Sequence, residues 1–179
     1  MTFFFYAKII IKNEKEKKIG IEYDNDEIII KGGFMATTWA PMQELKPIVD
    51  KIVKTFPEKL AHIQSDRILF ASFSRKSSKP LGRVGPIPAR FSPFLQSCDY
   101  FLEVYKEGWE DADEGKRLYV ILHELTHIPI EGFDKESKYY KKTVDHDKED
   151  FVELIKKYGV ELEKTDALVK LVNKNGDNS

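Results

Sequence analysis

His123-Glu124-Leu125-Thr126-His127 is the stretch that decides how this 179-residue chain is read. At 3.6 residues per turn, two histidines four positions apart lie one turn from each other on the same helix face, where both imidazoles can bind one metal ion. The glutamate beside the first is placed to take a proton from metal-bound water. With His146, three of the four histidines fall within 24 positions. Such crowding points to a metal site, provided the flanking sequence makes a helix.

It does. Leu118, Ile121, Leu122, Leu125 and Ile128 recur at the spacing of one buried helix side, and His123 and His127 fall off that stripe, on the face that also carries Val120. Asp111 followed by Glu114 reads as a capping box, with Asp113 adding negative charge where a helix N-terminus favours it. Pro129 cannot continue the helix and Gly132 opens a loop, so the helix is expected to stop just after His127.

Catalytic zinc takes three protein ligands and keeps one position for water, so a third ligand has to come from elsewhere. His146 is the candidate, with 18 residues between it and His127, and Asp147 is its rival. Neutral imidazole suits zinc better than a second choice of carboxylate, which favours His146. The segment leads into a second amphipathic pattern, Phe151, Leu154, Ile155 and Tyr158, in which His146 and Asp150 are one turn apart.

On these two segments the chain resembles the zincin metallopeptidases. The spacing from His127 to a helix-borne third ligand is similar to the gluzincin arrangement, except that His146 stands where those proteins have a glutamate. A third histidine shortly before an aromatic residue resembles the SprT-like and Wss1-like proteases. A closer resemblance is to the phage metallopeptidase family, whose pattern is similar to HEL-x-H, a loop, then H-D-x-x-D-F. The resemblance covers about residues 43 to 161. It implies one zinc ion held by His123, His127 and His146, and Asp150 as a carboxylate that accepts the other ring N–H of a liganding histidine.

Global properties bound the rest. The length fits one domain with a small extension. A charged fraction of 33% that nets to −1 leaves no overall bias toward nucleic acid or acidic substrates. Cys98 is the single cysteine, so no internal disulfide can form; it reads as a small strand residue in a protein of a reducing, cytoplasmic compartment. Phe3 to Ala7 lacks the basic lead of a signal peptide, and no apolar run reaches membrane-spanning length.

The expected fold is α+β. Phe3 to Lys12, Ile19 to Tyr23 and Glu27 to Lys31 are β-branched or aromatic runs parted by charged turns, so residues 1–35 read as an appended β-hairpin or meander. A zincin-like metallopeptidase domain is expected over 36–172: a small sheet packed with an active-site helix and a following ligand helix. Leu45 to Phe56 carries a helical stripe ended by Pro57, while Ile68 to Phe73 and Tyr100 to Tyr105 read as strands. The proline-rich 75–97 stretch reads as a long loop or distorted edge segment, and 173–179 as a disordered tail.

Three further features ask for a role. Arg67, Arg75, Lys76, Lys79, Arg83 and Arg90 make 67–90 locally basic, which suits either a solvated loop or contact with nucleic-acid phosphates. His62 has no ligand spacing and reads as structural. Tyr139 and Tyr140 are within reach of an oxyanion role. The function expected from the whole is zinc-dependent peptide hydrolysis, in which Glu124 takes a proton from the zinc-bound water and passes it to the leaving amine. A peptide or protein is the expected substrate. The alternative is a zinc-stabilised binding module without turnover, contacting nucleic acid through 67–90.

Overall fold

The structure, a computed structural model, describes residues 10–11, 19–24, 27–31, 37–74, 81–91, 93, 95, 97–145 and 162–176. His146, Asp147, Asp150 and the Phe151 to Tyr158 stripe therefore lie outside the described residues. The chain is α+β. Its strands are β1 (Ile10–Ile11), β2 (Ile19–Asp24), β3 (Glu27–Lys31), β4 (Thr37–Pro41), β5 (Ile68–Ser74), β6 (Gly82–Pro86) and β7 (Tyr100–Tyr105). The helices are α1 (Leu45–Thr55), α2 (Pro57–Leu60), α3 (Lys106–Glu110), α4 (Glu114–Thr126) and α5 (Leu162–Gly176).

The seven strands among the described residues join one sheet in the order β1-β2-β3-β4-β5-β7-β6. Successive pairs from β1 to β5 are antiparallel, β5 and β7 are parallel, and β6 returns antiparallel to β7 at the edge. The strands that read as a meander are thus continuous with the rest of the sheet through the pairing of β3 with β4.

Side-chain alternation along the strands separates two faces. Ile68 and Phe70 of β5 and Tyr100, Leu102 and Val104 of β7 belong to the core. They share it with Leu45, Val49 and Ile52 of α1, Leu118, Ile121, Leu122 and Leu125 of α4, and Leu168 and Val172 of α5. The opposite face carries Trp39, Phe73 and Glu103, with Arg83 paired across from Glu103. There the buried Glu103 carboxylate accepts Trp39 Nε1–H at 2.9 Å and Arg83 Nε–H at 2.5 Å. Three strands are laced together by this one charge, which keeps both its oxygens bonded as burial requires.

Several local expectations change. Asp113, not Asp111, caps α4: its side chain accepts the Lys116 N–H at 2.7 Å, one turn into the helix. Asp111 instead ends α3, whose turn the sequence pattern did not separate from α4. Cys98 lies just before β7 and not in a strand. Helix α5 runs on through Gly176, past Asn173, whose amide donates to Glu114 at 3.3 Å.

Candidate active site on α4 and the edge strand

Helix α4 ends where the sequence demands. Its last residue is Thr126, His127 is the C-cap, and Pro129 follows. Because Leu118, Ile121, Leu122 and Leu125 are committed to the core, the opposite side turns toward β6. His123 and His127 lie side by side there, ring centroids 5.3 Å apart with their planes at 81°.

His127 Nδ1 lies 2.7 Å from the Val144 carbonyl oxygen. A carbonyl only accepts, so Nδ1 carries a proton; in a neutral ring Nε2 then holds the lone pair, the arrangement a metal-binding imidazole needs. The Val144 N–H returns a bond to the His127 carbonyl at 2.9 Å, so the loop after α4 is stitched back onto the helix end. The donor set of two neighbouring imidazoles, one with its tautomer already set, fits a zinc ion. No group of three potential ligands occurs among the described residues, since the third candidate lies beyond them.

Glu124 is placed by β6. Leu81 accepts the Tyr105 N–H and Ile87 donates to Asp99, so the odd-numbered residues of this strand bond to β7. The backbone groups of Gly82, Val84 and Pro86 consequently point away from β7. Pro86 has no N–H to satisfy there, which is where a strand tolerates proline. The Val84 N–H donates to Glu124 Oε2 at 3.1 Å. Burial of Glu124, only 8% exposed, pushes its carboxyl up to about 7, with the Val84 N–H pulling the other way. A carboxyl in that range sits near the operating pH of a general base.

The close approach of strand to helix depends on Gly82. A Cβ there would lie 2.7 Å from Val120 Cγ1 and 3.3 Å from Glu124 Cγ.

The remaining candidates divide. His62 joins the loop after α2 to the end of α4, its Nε2 2.9 Å from the Ile128 carbonyl, in keeping with a structural role. Tyr140 donates its hydroxyl to Asp99 at 2.8 Å, so it is engaged away from an oxyanion, while Tyr139 stays exposed. Of the basic 67–90 stretch, Arg67 pairs with Asp99 and Arg83 with Glu103. Those two charges are already answered within the chain. Sequence reasoning missed the two backbone groups that matter most, the Val84 N–H and the Val144 carbonyl. Nearly every residue carries such groups, so side-chain identity leaves no mark; only the prolines and glycines of 75–97, read as a loop or distorted edge segment, hinted at an edge strand.

The model of a family described as putative phage metallopeptidase matches residues 37–173. The match spans most of the chain, which belongs to this family. No curated protein and no solved structure matches it.

Proposed function

We propose that this member of the phage metallopeptidase family is a zinc-dependent peptidase of zincin type, with His123, His127 and His146 as metal ligands and Glu124 as general base. The observation that carries the reading is the meeting of α4 and β6. One helix presents both histidines and the glutamate, and the edge strand lies against that glutamate with a hydrogen bond.

His146 itself is beyond the described residues, but covalent reach supports it. Val144 is bonded to His127 in both directions, and two residues of chain span at most about 7 Å. Asp147 remains the rival, and Asp150 the candidate partner for a ligand's ring N–H.

Zinc, when bound, supplies a Lewis acid that lowers the pKa of a water and polarises the scissile carbonyl. Glu124 takes the proton of the attacking water and delivers it to the leaving amine. The Val84 N–H holds one Glu124 oxygen, which orients the other toward the water. With the Val84 N–H taken by Glu124 and no N–H at Pro86, an extended peptide added as a further strand would use the outward carbonyls of β6 and the Gly82 N–H, a mode that reads main chain more than side chains.

The metal assignment is tested by zinc content and competition with a chelator. About one equivalent per chain is expected, and each of His123→Ala, His127→Ala and His146→Ala should lose it or bind far more weakly, since each removes one of three ligands. Full zinc retention in His146→Ala with loss in Asp147→Ala would transfer the third position to Asp147. Zinc retained with no cleavage across a broad library of unfolded and extended peptides would favour a metal-stabilised binding module instead.

A further inference from the structure

A second constellation sits apart from α4, where the loop after it meets the start of β7. Asp99 is buried at 4% exposure, and its carboxylate gathers three partners from two directions. Oδ1 accepts the Tyr140 hydroxyl at 2.8 Å and the Lys141 ammonium at 3.1 Å, and Oδ2 faces Arg67, whose guanidinium also lies over the Phe133 ring. Next to it the Tyr100 hydroxyl, pushed up to about 12 mainly by burial, stays protonated and donates to the Lys142 and Gly132 carbonyls at 2.8 and 3.1 Å.

Between these anchors Lys141 adopts φ 53°, and it is the non-glycine residue with positive φ among the described residues. A lysine in the left-handed region is strained and persists only where its surroundings over-determine it. Here they do: its ammonium bonds Asp99, its N–H bonds the Gly132 carbonyl at 3.0 Å, and both chain neighbours are tied down. The reversal at Lys141 sends residues 142–144 back toward α4, where Val144 meets His127.

We propose that Asp99 is a positioning residue for His127: by anchoring Tyr140 and Lys141 it turns the loop so that the Val144 carbonyl holds Nδ1–H and leaves Nε2 to face the metal. The role assigned to Nε2 rests on His127 being a ligand. Asp99 does its work through three residues of chain. The carbonyl that accepts Nδ1–H belongs to the loop held by the Asp99 contacts; buried Phe133 anchors the same loop, while Ile130 near its start is 79% exposed.

The test reads the tautomer in the metal-free full-length chain. Two-bond proton–nitrogen correlations of 15N-labelled histidine, recorded near pH 8 where imidazole is neutral, distinguish Nδ1–H from Nε2–H. Wild type should show His127 as Nδ1–H. Asp99→Asn and Tyr140→Phe should mix or reverse that signature and weaken zinc binding by about 10- to 100-fold, the usual effect of losing a partner that orients a ligand. Ile52→Val, a core truncation on α1, should lower stability and leave the tautomer alone. If Asp99→Asn fails to fold, Tyr140→Phe carries the test, because it removes a single hydroxyl. Folded variants that keep the wild-type Nδ1–H signature would overturn the proposal. A wild type that shows the signature, loses it in the variants and yet takes up no zinc would uphold the clasp while overturning His127 as a ligand.

Discussion

Glu124 is where the chemistry of a single residue is most exposed to test. Replacing it by glutamine keeps size and hydrogen-bonding capacity, including acceptance of the Val84 N–H, but removes the carboxylate proposed as the base. Glu124→Gln is expected to retain fold and zinc while peptide hydrolysis drops by about 100-fold or more, read as kcat at saturating substrate. Cleavage unchanged in this variant would assign the activity to a contaminant or to another base. Gly82 is the complementary test from the strand side. Gly82→Ala places a methyl 2.7 Å from Val120 Cγ1, so β6 or α4 must shift. A loss of about 1 to 3 kcal/mol is expected from such overpacking, together with reduced turnover because the shift acts on Glu124. Urea unfolding alongside a peptidase assay checks both. Turnover unchanged at full stability would show that the approach of β6 is looser than its geometry implies. The identities of His123, Glu124 and His127 were legible in sequence because helical spacing converts directly into spatial adjacency. Val84 was not, because it contributes only backbone.

At the scale of elements, α4 is held by what lies behind it. Its apolar stripe was readable as a period of three and four, and those same side chains are buried against the sheet and α5. What periodicity cannot show is how close a partner comes. Gly115, in the first turn of α4, lies so near α5 that a Cβ would be 2.5 Å from Thr165 Cβ and 3.1 Å from its backbone carbonyl carbon. Two effects compete in Gly115→Ala. Alanine improves helix propensity by about 1 kcal/mol, whereas forcing the helices apart costs about 1 to 3 kcal/mol. The clash involves backbone as well as a β-branched side chain, so the cost should win. A lowered urea midpoint with unchanged slope is the expected result; a raised midpoint would mean that α5 gives way freely. Strand β6 shows the other limit of elemental reading. Its prolines and glycines read as a loop or distorted edge, and only the tertiary contacts revealed an edge strand that runs against α4.

Across the whole molecule, the sheet carries helices on the face that buries Phe70, Leu102 and Val104, and a charge-laced aromatic face on the other. No helix among the described residues is long and apolar enough to cross a membrane. Global stability should carry the mark of Asp99. Burial alone would raise its carboxyl, but Tyr140, Lys141 and Arg67 together outweigh burial and hold it below the ordinary carboxylate value. A folded-state pKa below the unfolded one, about 3.9, means the unfolded chain binds the proton more readily. The contribution is therefore complete above that unfolded value and is lost as pH falls through the lower folded one. The stability gap between wild type and Asp99→Asn should accordingly narrow below about pH 4 in denaturant titrations; a gap that widens on acidification would contradict the assigned ion pairs. What the sequence determined by itself was the α+β class, the helix that carries His123 and Glu124, and the family, because short-range periodicity and motif spacing are properties of neighbours along the chain. Only the tertiary structure decided that β6 forms the edge beside Glu124, that the first strands continue the same sheet, and that Asp99 bonds to Tyr140 and Lys141 in the loop that reaches His127. Apart from the β3–β4 pairing, those are contacts between residues 17 to 42 positions apart, most with a backbone group on one side, and a backbone group says little about its partner until the fold shows what it faces.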